Sequence, residues 1–257
     1  MKSRAELSRR RFLASAFGAT GALALGGCDV LSQTEWAPKI LEAGEKLSSG
    51  AQHLIAPRRA MAQEFKEADL SPRFRSNGTS MPANPQYLAL AAGGFADYRL
   101  AVGGLVEKPA SLSLAQLRAL PSRTQITRHD CVEGWSAIGK WKGARLSALL
   151  EAVQPKAHAR FVVFHCADPK GDGTSPYYES IDLEDAFHPQ TILAYDLNDR
   201  TLPIPNGAPV RLRVERQLGY KHAKYIMRME LVESLEKIRG GRGGYWEDQG
   251  YEWWAGI

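Results

Sequence analysis

From Tyr98 to Leu231 the apolar residues come in short runs, and their period changes from one run to the next. Tyr98–Val102, Gln125–Arg128, Arg160–Cys166, Tyr177–Ile181 and Thr191–Tyr195 read as strands, with Val210–Val214 and Tyr225–Leu231 as a closing strand pair. Helical spacing appears only in short pieces. Ser113–Leu120 has Ser113 in the capping position, Leu183–Phe187 is short, and Trp141–Val153 repeats Leu146, Leu149, Leu150 and Val153. The Gly/Asp/Pro stretch Asp168–Pro176 reads as a loop. Because strands and helices do not alternate regularly, the pattern predicts an α+β domain with mixed sheets and short helices, and argues against a doubly wound parallel sheet.

Three segments precede this region. Residues 28–72 are polar, with apolar positions such as Ile40, Leu41, Leu47, Leu54 and Ile55 broken by Pro38 and Pro57. They predict a helical N-terminal extension. Residues 73–86, with Asn77-Gly78-Thr79 and prolines at 82 and 85, predict a loop opening a domain over 73–257. Residues 1–27 have the order of an export signal, Ser8-Arg9-Arg10-Arg11-Phe12-Leu13 before the small-residue apolar stretch Ala14–Gly27. That stretch is too short for a comfortable membrane span. It resembles a twin-arginine signal, which carries proteins outward already folded and implies the twin-arginine export machinery as a partner and the periplasm as destination. Leu25-Gly26-Gly27-Cys28 resembles a lipoprotein cleavage box, making Cys28 a candidate lipidation site. The alternatives are simple cleavage and an uncleaved anchor.

Charge narrows the partners. The formal net charge is +5, of which Lys2, Arg4, Arg9, Arg10 and Arg11 against Glu6 place +4 in the first 27 residues, leaving +1 for the rest. No basic run threaded by aromatics remains to track a phosphate backbone, so nucleic-acid binding is not expected.

The three cysteines, Cys28, Cys131 and Cys166, are too few for a disulfide framework. Cys131 lies in Arg128-His129-Asp130-Cys131-Val132-Glu133-Gly134-Trp135-Ser136, between a predicted strand and a predicted helix, in a turn relaxed by Gly134. A thiolate there can project toward a bound group, and soft thiolates suit transition metals. On the residues alone three readings stay open. Cys131 is a small buried hydrophobe, a member of a zinc site with His129, His165 and Cys166, or a nucleophile served by His129 or His222.

The segment Ile126–Leu150, including Trp141-Lys142-Gly143-Ala144-Arg145-Leu146, resembles the one that bears the metal-ligating cysteine in the sulfite-oxidase-like molybdopterin oxidoreductases, with Cys131 at the ligand position. Thr191-Ile192-Leu193-Ala194-Tyr195, Asn206-Gly207-Ala208-Pro209-Val210-Arg211 and Gly219-Tyr220-Lys221-His222-Ala223-Lys224-Tyr225 resemble further segments of that family, in the same order. The resemblance runs from Phe74 to the C-terminus. It implies a sulfite-oxidase-type fold and a molybdenum–molybdopterin cofactor whose metal is ligated by Cys131. It also implies cofactor contacts from Asn77, Gly78, Thr79, His129, Asn206, Arg211, His222 and Lys224, with Arg211 and Lys224 suited to its phosphate. Tyr251, in Gly244–Tyr251, falls on an active-site tyrosine, and Asn77 lies near the metal. These two and Cys131 are the candidate catalytic residues. His129, Asp130 and Glu133 are candidates for support or proton transfer.

Ser136 stands where the family's sulfite oxidases place an arginine, five residues after the ligand cysteine, so sulfite is a doubtful substrate. The family's immunoglobulin-like dimerisation domain and haem domain are not expected, and a monomer is. The implied activity is two-electron oxygen-atom transfer on a small substrate in the cell envelope, coupled to a membrane b-type cytochrome or a periplasmic electron carrier. Reduction of a sulfoxide, methionine sulfoxide included, or of an N-oxide is the alternative. A non-catalytic zinc- or ligand-binding lipoprotein is the alternative of another class.

Overall fold

In a computed structural model, residues 59–170 and 175–257 are described. The predicted signal, Cys28 and most of the predicted extension lie outside them. Two sheets organise the described residues. The first has the order β2 (Ala110–Ser113), β1 (Arg99–Gly104), β10 (Ile226–Val232), β5 (Phe161–Lys170) and β6 (Ser175–Asp182). The second runs β3 (Ser122–Cys131), β4 (Trp135–Arg145), β7 (Ile192–Leu197) and β8 (Arg200–Thr201), with β9 (Arg211–Arg213) also paired to β7. Among the described strands only β1 and β10 pair in parallel, so the mixed α+β architecture is the predicted one.

Among the described residues five short helices fill the connections: α1 (Pro85–Ala92), α2 (Leu114–Ala119), α3 (Leu146–Val153), α4 (Leu183–Ala186) and α5 (Tyr245–Asp248). Ser113 caps α2 as predicted, its hydroxyl accepting from Gln116 N–H while the Gln116 side chain returns to Ser113 N–H. The apolar stripe of α3, Leu146, Leu149, Leu150 and Val153, is 0–1% exposed and packs into the main core with Val162, Phe164, Leu193, Leu212 and Leu231. Each such side chain contributes roughly 1.5–3 kcal/mol on burial.

Several expectations change. The predicted helix Trp141–Val153 begins only at Leu146. Trp141–Arg145 belong to β4, whose alternating burial fits a strand, and Gly143 permits its approach to β7, since a Cβ there would collide with the Leu193 carbonyl oxygen. Cys131 therefore sits in a strand–turn–strand hairpin and not between a strand and a helix. The predicted loop 73–86 ends early, because Asn84 caps α1 through Tyr87 N–H and Pro85 occupies its first turn, where a missing N–H costs nothing. Strands β5 and β6 run into both ends of the predicted loop Asp168–Pro176 and pair there. The predicted closing pair is split between the sheets, joined by the bonds Leu212 N to Ala223 O and Ile226 N to Val210 O.

The described part of the predicted helical extension is extended, with a single 3-10 turn at Glu67–Asp69. Phe65 N–H donates to Ile126 O, and Glu64 bridges Thr127. An unpaired sheet edge offers a row of backbone partners, and along β3 that edge outcompetes helical spacing.

Candidate cofactor and active site

The β3–β4 hairpin carries the central thiol. Ten residues of β3 pair with β4 from Ser122↔Ala144 to Cys131↔Trp135, so Cys131 is the last paired residue before the turn. Gly134 closes that turn at φ +81°, its N–H bonded to the Cys131 carbonyl. His129 and Cys131, two apart, share the buried face of β3. Burial pushes the Cys131 thiol up, against the Glu133 N–H and the Arg75 guanidinium, which favour the thiolate.

Cys131 opens into a cavity of about 170 Å³ together with Asn77, Gly78, Val132, Glu133, Asp168, Tyr177, Gly219, Tyr220, His222, Lys224, Trp246 and Tyr251. Seven residues singled out in the sequence, Asn77, Gly78, Cys131, Glu133, His222, Lys224 and Tyr251, thus meet at one place. Tyr251 and Val132 stand at its mouth, 41% and 46% exposed. The Tyr251 ring packs 5.3 Å from Tyr220 and 5.2 Å from Trp246.

His129, Asn206 and Arg211 do not line this cavity; they form the wall behind it. Arg211 donates to the carbonyls of Asn206 at 2.9 Å and His222 at 3.3 Å. Lys224 donates to the carbonyls of Asn77 and Thr79, both at 2.6 Å, and of Pro205 at 3.0 Å. It therefore ties the Asn77–Thr79 loop to the Asn206 segment, and Thr79 contributes through its backbone, which also accepts from the Tyr225 hydroxyl. Gly207, at φ +112°, lets these pieces close up: a Cβ would sit 3.0 Å from Lys224 Cγ and 3.1 Å from Arg211 Cβ.

The tautomers of the two buried imidazoles follow from their partners. Arg213 donates to His129 Nδ1 at 2.9 Å, which leaves the proton of neutral His129 on Nε2. His222 Nε2 faces the Gln217 carbonyl at 3.0 Å and must donate to it, which leaves Nδ1 as a bare acceptor. Burial and the neighbouring guanidiniums hold both well below the usual histidine range, so both are neutral at pH 7.

What remains unsatisfied tests whether these residues fit the implied cofactor. Among the described residues, His129 Nε2, Asn206 Nδ2 and Arg211 Nε are buried donors without a protein partner, and His222 Nδ1 is such an acceptor. Unmade buried hydrogen bonds cost about 1–3 kcal/mol each, so a cluster of them implies a group that fills them. Arg211 is the sharper case. It is 1% exposed, Arg213 lies beside it, and burial with that like charge pushes it down to about 9. Arg213 is balanced by Glu215 at 2.5 Å, whereas the hydrogen bonds of Arg211 go to neutral carbonyls. A buried guanidinium in that position is stabilised by an anion such as a phosphate. The donor-rich wall, its cation and the nearby thiol fit a phosphate-bearing pterin and its metal.

The family model of the oxidoreductase molybdopterin binding domain matches residues 89–237. The chain belongs to that family. It is an enzyme of the molybdopterin-dependent, sulfite-oxidase-like kind, with molybdenum–molybdopterin as its cofactor. It is 36% identical over 249 residues, 97% of this chain and 88% of the other, to the putative protein-methionine-sulfoxide reductase subunit YedZ1 of Azospira oryzae. It is 40% identical over 143 residues to the protein-methionine-sulfoxide reductase catalytic subunit MsrP of Xanthomonas axonopodis pv. citri, covering 52% of this chain and 44% of that protein. The sulfane dehydrogenase SoxCD of Paracoccus pantotrophus aligns over 58% of this chain and 45% of its own, at 23% identity and a TM-score of 0.49.

Among the described residues, no group of three or more His, Cys, Asp or Glu side chains is placed to hold a metal ion, so the zinc reading of Cys131 finds no ligand set. His165 lies in the other sheet, bonded to Glu230 and Arg228, and Cys166 is a buried core residue. The nucleophile reading also lacks its base, since no hydrogen bond joins His129 or His222 to Cys131. Asp130 turns to the opposite face of β3, bound to Arg128 and Ser136, away from the cavity.

Arg213, Tyr177, Tyr220 and Trp246 are functional neighbours beyond the candidates drawn from the sequence. Arg213 had a signal: Arg211 and Arg213, two apart among Val210, Leu212 and Val214, put two guanidiniums on one face of an apolar strand. The aromatics had none, because a cavity-lining ring and a core ring are the same residue type.

Proposed function

We propose that the chain performs two-electron oxygen-atom transfer on a small neutral substrate and works as a sulfoxide reductase, with methionine sulfoxide as the favoured substrate class. The observation that carries this reading is the cavity around Cys131. Among the described residues its lining includes no arginine, and its lysine, Lys224, is bonded to the carbonyls of Asn77, Thr79 and Pro205. A dianion such as sulfite loses its water only where fixed cations replace it. Here the mouth offers Val132, the rings of Trp246 and Tyr251, and the Glu133 carboxylate, which suit a polar S–O group carried on an apolar chain. The names of the two relatives agree with this direction. Reduction takes two electrons and two protons, yielding sulfide and water.

The bound cofactor supplies the oxygen-atom transfer chemistry. Cys131 ligates and tunes the metal. His129, Asn206, Arg211 and His222 hold the pterin and its phosphate, while Lys224 braces the Asn77–Thr79 loop against that wall. Asn77 and the Tyr251 phenol donate hydrogen bonds to the substrate oxygen, the phenol without carrying charge at neutral pH. Electrons come from a membrane b-type cytochrome or a periplasmic carrier. Steady-state kinetics test the direction. With a reduced artificial donor, methionine sulfoxide should turn over with kcat/KM in the ordinary enzymatic range above about 10⁴ M⁻¹s⁻¹. Sulfite, with an artificial acceptor, should turn over far more slowly; the reverse order overturns the reading.

We also propose that residues 1–27 direct a monomeric, already loaded enzyme to the periplasm through the twin-arginine machinery, and that Cys28 is lipidated there. No helix among the described residues is long and apolar enough to cross a membrane. Changing Arg9 and Arg10 both to Lys preserves charge and should leave loaded protein in the cytoplasm. Normal export of that variant would contradict the assignment.

A further inference from the structure

Beside the residues that line the cavity, three charged side chains are fully enclosed. Lys221 is 0% exposed, and its ammonium lies 2.5 Å from Glu179 Oε1 and 2.5 Å from Glu247 Oε1, both carboxylates being as buried as the lysine. The Trp253 ring covers the ammonium at 5.2 Å. Gly244 makes room for the cluster, since a Cβ there would collide with Glu247 Oε2 and lie 2.7 Å from Glu179 Oε1. The function proposed above does not use this cluster, and burying three charges is an expensive way to fill a core.

Its members come from three elements, each of which also lines the cavity. Glu179 is on β6, two residues beyond Tyr177. Lys221 lies in the 3-10 turn Gly219–Lys221, between Tyr220 and His222. Glu247 is in α5, next to Trp246 and four residues before Tyr251. Tyr177 reinforces the junction, its hydroxyl donating to Tyr220 O at 2.6 Å with Glu179 Oε2 3.4 Å away. Beyond Tyr251 the chain has its own anchors, Tyr220 hydroxyl to Glu252 O, Trp253 Nε1 to Ser180 Oγ and Leu218 N to Ala255 O. On the outer side Asp248 binds the Tyr178 hydroxyl. Lys221 is thus the inner tether of the turn over 244–251.

We propose that Lys221 is a positioning residue: by bridging Glu179 and Glu247 it fixes the turn bearing Trp246 and Tyr251 over the cavity, and so sets substrate affinity and not cofactor retention. This rests on the reading that the cavity takes a sulfoxide. Ionic geometry suits the task, because two short charge-assisted bonds define a position that an apolar contact leaves free to slide. Burial pushes the Glu179 carboxyl well up from the usual carboxylate range, with Lys221 opposing the shift and Glu247 adding to it.

The test uses the full, cofactor-loaded chain with Lys221→Met, Lys221→Arg and the neutral triple variant Lys221→Met/Glu179→Gln/Glu247→Gln. The triple leaves no buried charge unpaired if the single variant fails to fold. Hydrogen exchange of 244–251 should accelerate about tenfold or more in the methionine variants. Molybdenum content should stay at the wild-type level, and KM for methionine sulfoxide should rise about 10- to 100-fold with kcat little changed. Lys221→Arg should recover part of the protection. Unchanged exchange over 244–251, or activity lost only in proportion to molybdenum, overturns the proposal. If the wild type does not reduce methionine sulfoxide, the substrate reading falls, while the exchange measurement still decides whether Lys221 holds the turn.

Discussion

Arg211 shows how a single side chain declares a missing partner. It is enclosed, set beside Arg213 and bonded to carbonyls that cannot neutralise it. At neutral pH, below both its depressed value and the ordinary one, the guanidinium is charged folded and unfolded alike, so its burial is a net cost to the cofactor-free protein. Arg211→Met should therefore keep the cofactor-free fold, as judged by thermal melting. It should lose cofactor, because a charge-assisted contact worth about 1.5–3 kcal/mol is removed. Wild-type pterin and molybdenum content in that variant would take Arg211 out of the anchor. Cys131 was legible in the sequence by its neighbours, and Tyr251 and Asn77 by their motifs. Lys224 was legible as a cation near the site, but its bonds to three carbonyls were not, since they depend on where distant loops close.

At the scale of elements, the β3–β4 hairpin and the turn Gly219–Lys221 are the pieces that must meet. Gly219 marks the contact: a Cβ on it would sit 2.6 Å from His129 Nε2 and 3.1 Å from Asp130 O. Gly219→Ala should cost about 1–3 kcal/mol as overpacking, lowering Tm by roughly 2–10 °C in a domain of this size. Calorimetry on the loaded protein checks this, and an unchanged Tm would mean His129 moves aside freely. Most strands were readable from their apolar runs, because burial on a sheet face imposes alternation however the sheet is assembled. The errors fell where a local signal had two meanings. Pro85 read as a loop residue but starts α1, and Trp141–Arg145 read as the head of a helix although β7 claims them as a strand. The residues around Phe65, within the predicted helical extension, pair with the edge of β3. The last two were decided by partners distant in sequence, whereas α1 starts on its own local cap at Asn84.

Across the whole molecule, two sheets bring together segments that the chain holds far apart, from Asn77 to Tyr251, around one thiol. Family membership, the unsatisfied donors behind the cavity and the buried Arg211 all lead to one claim: Cys131 ligates molybdenum held by a pterin that this wall anchors. Metal and pterin analysis of the wild type and Cys131→Ser, both matured in a host that makes molybdopterin, tests it most directly. The account predicts about one molybdenum and one pterin per wild-type chain. It predicts that Cys131→Ser keeps the pterin but loses turnover, because a hydroxyl replaces a soft thiolate poorly. Stoichiometric zinc without molybdenum in the wild type, or full turnover by Cys131→Ser, would contradict it.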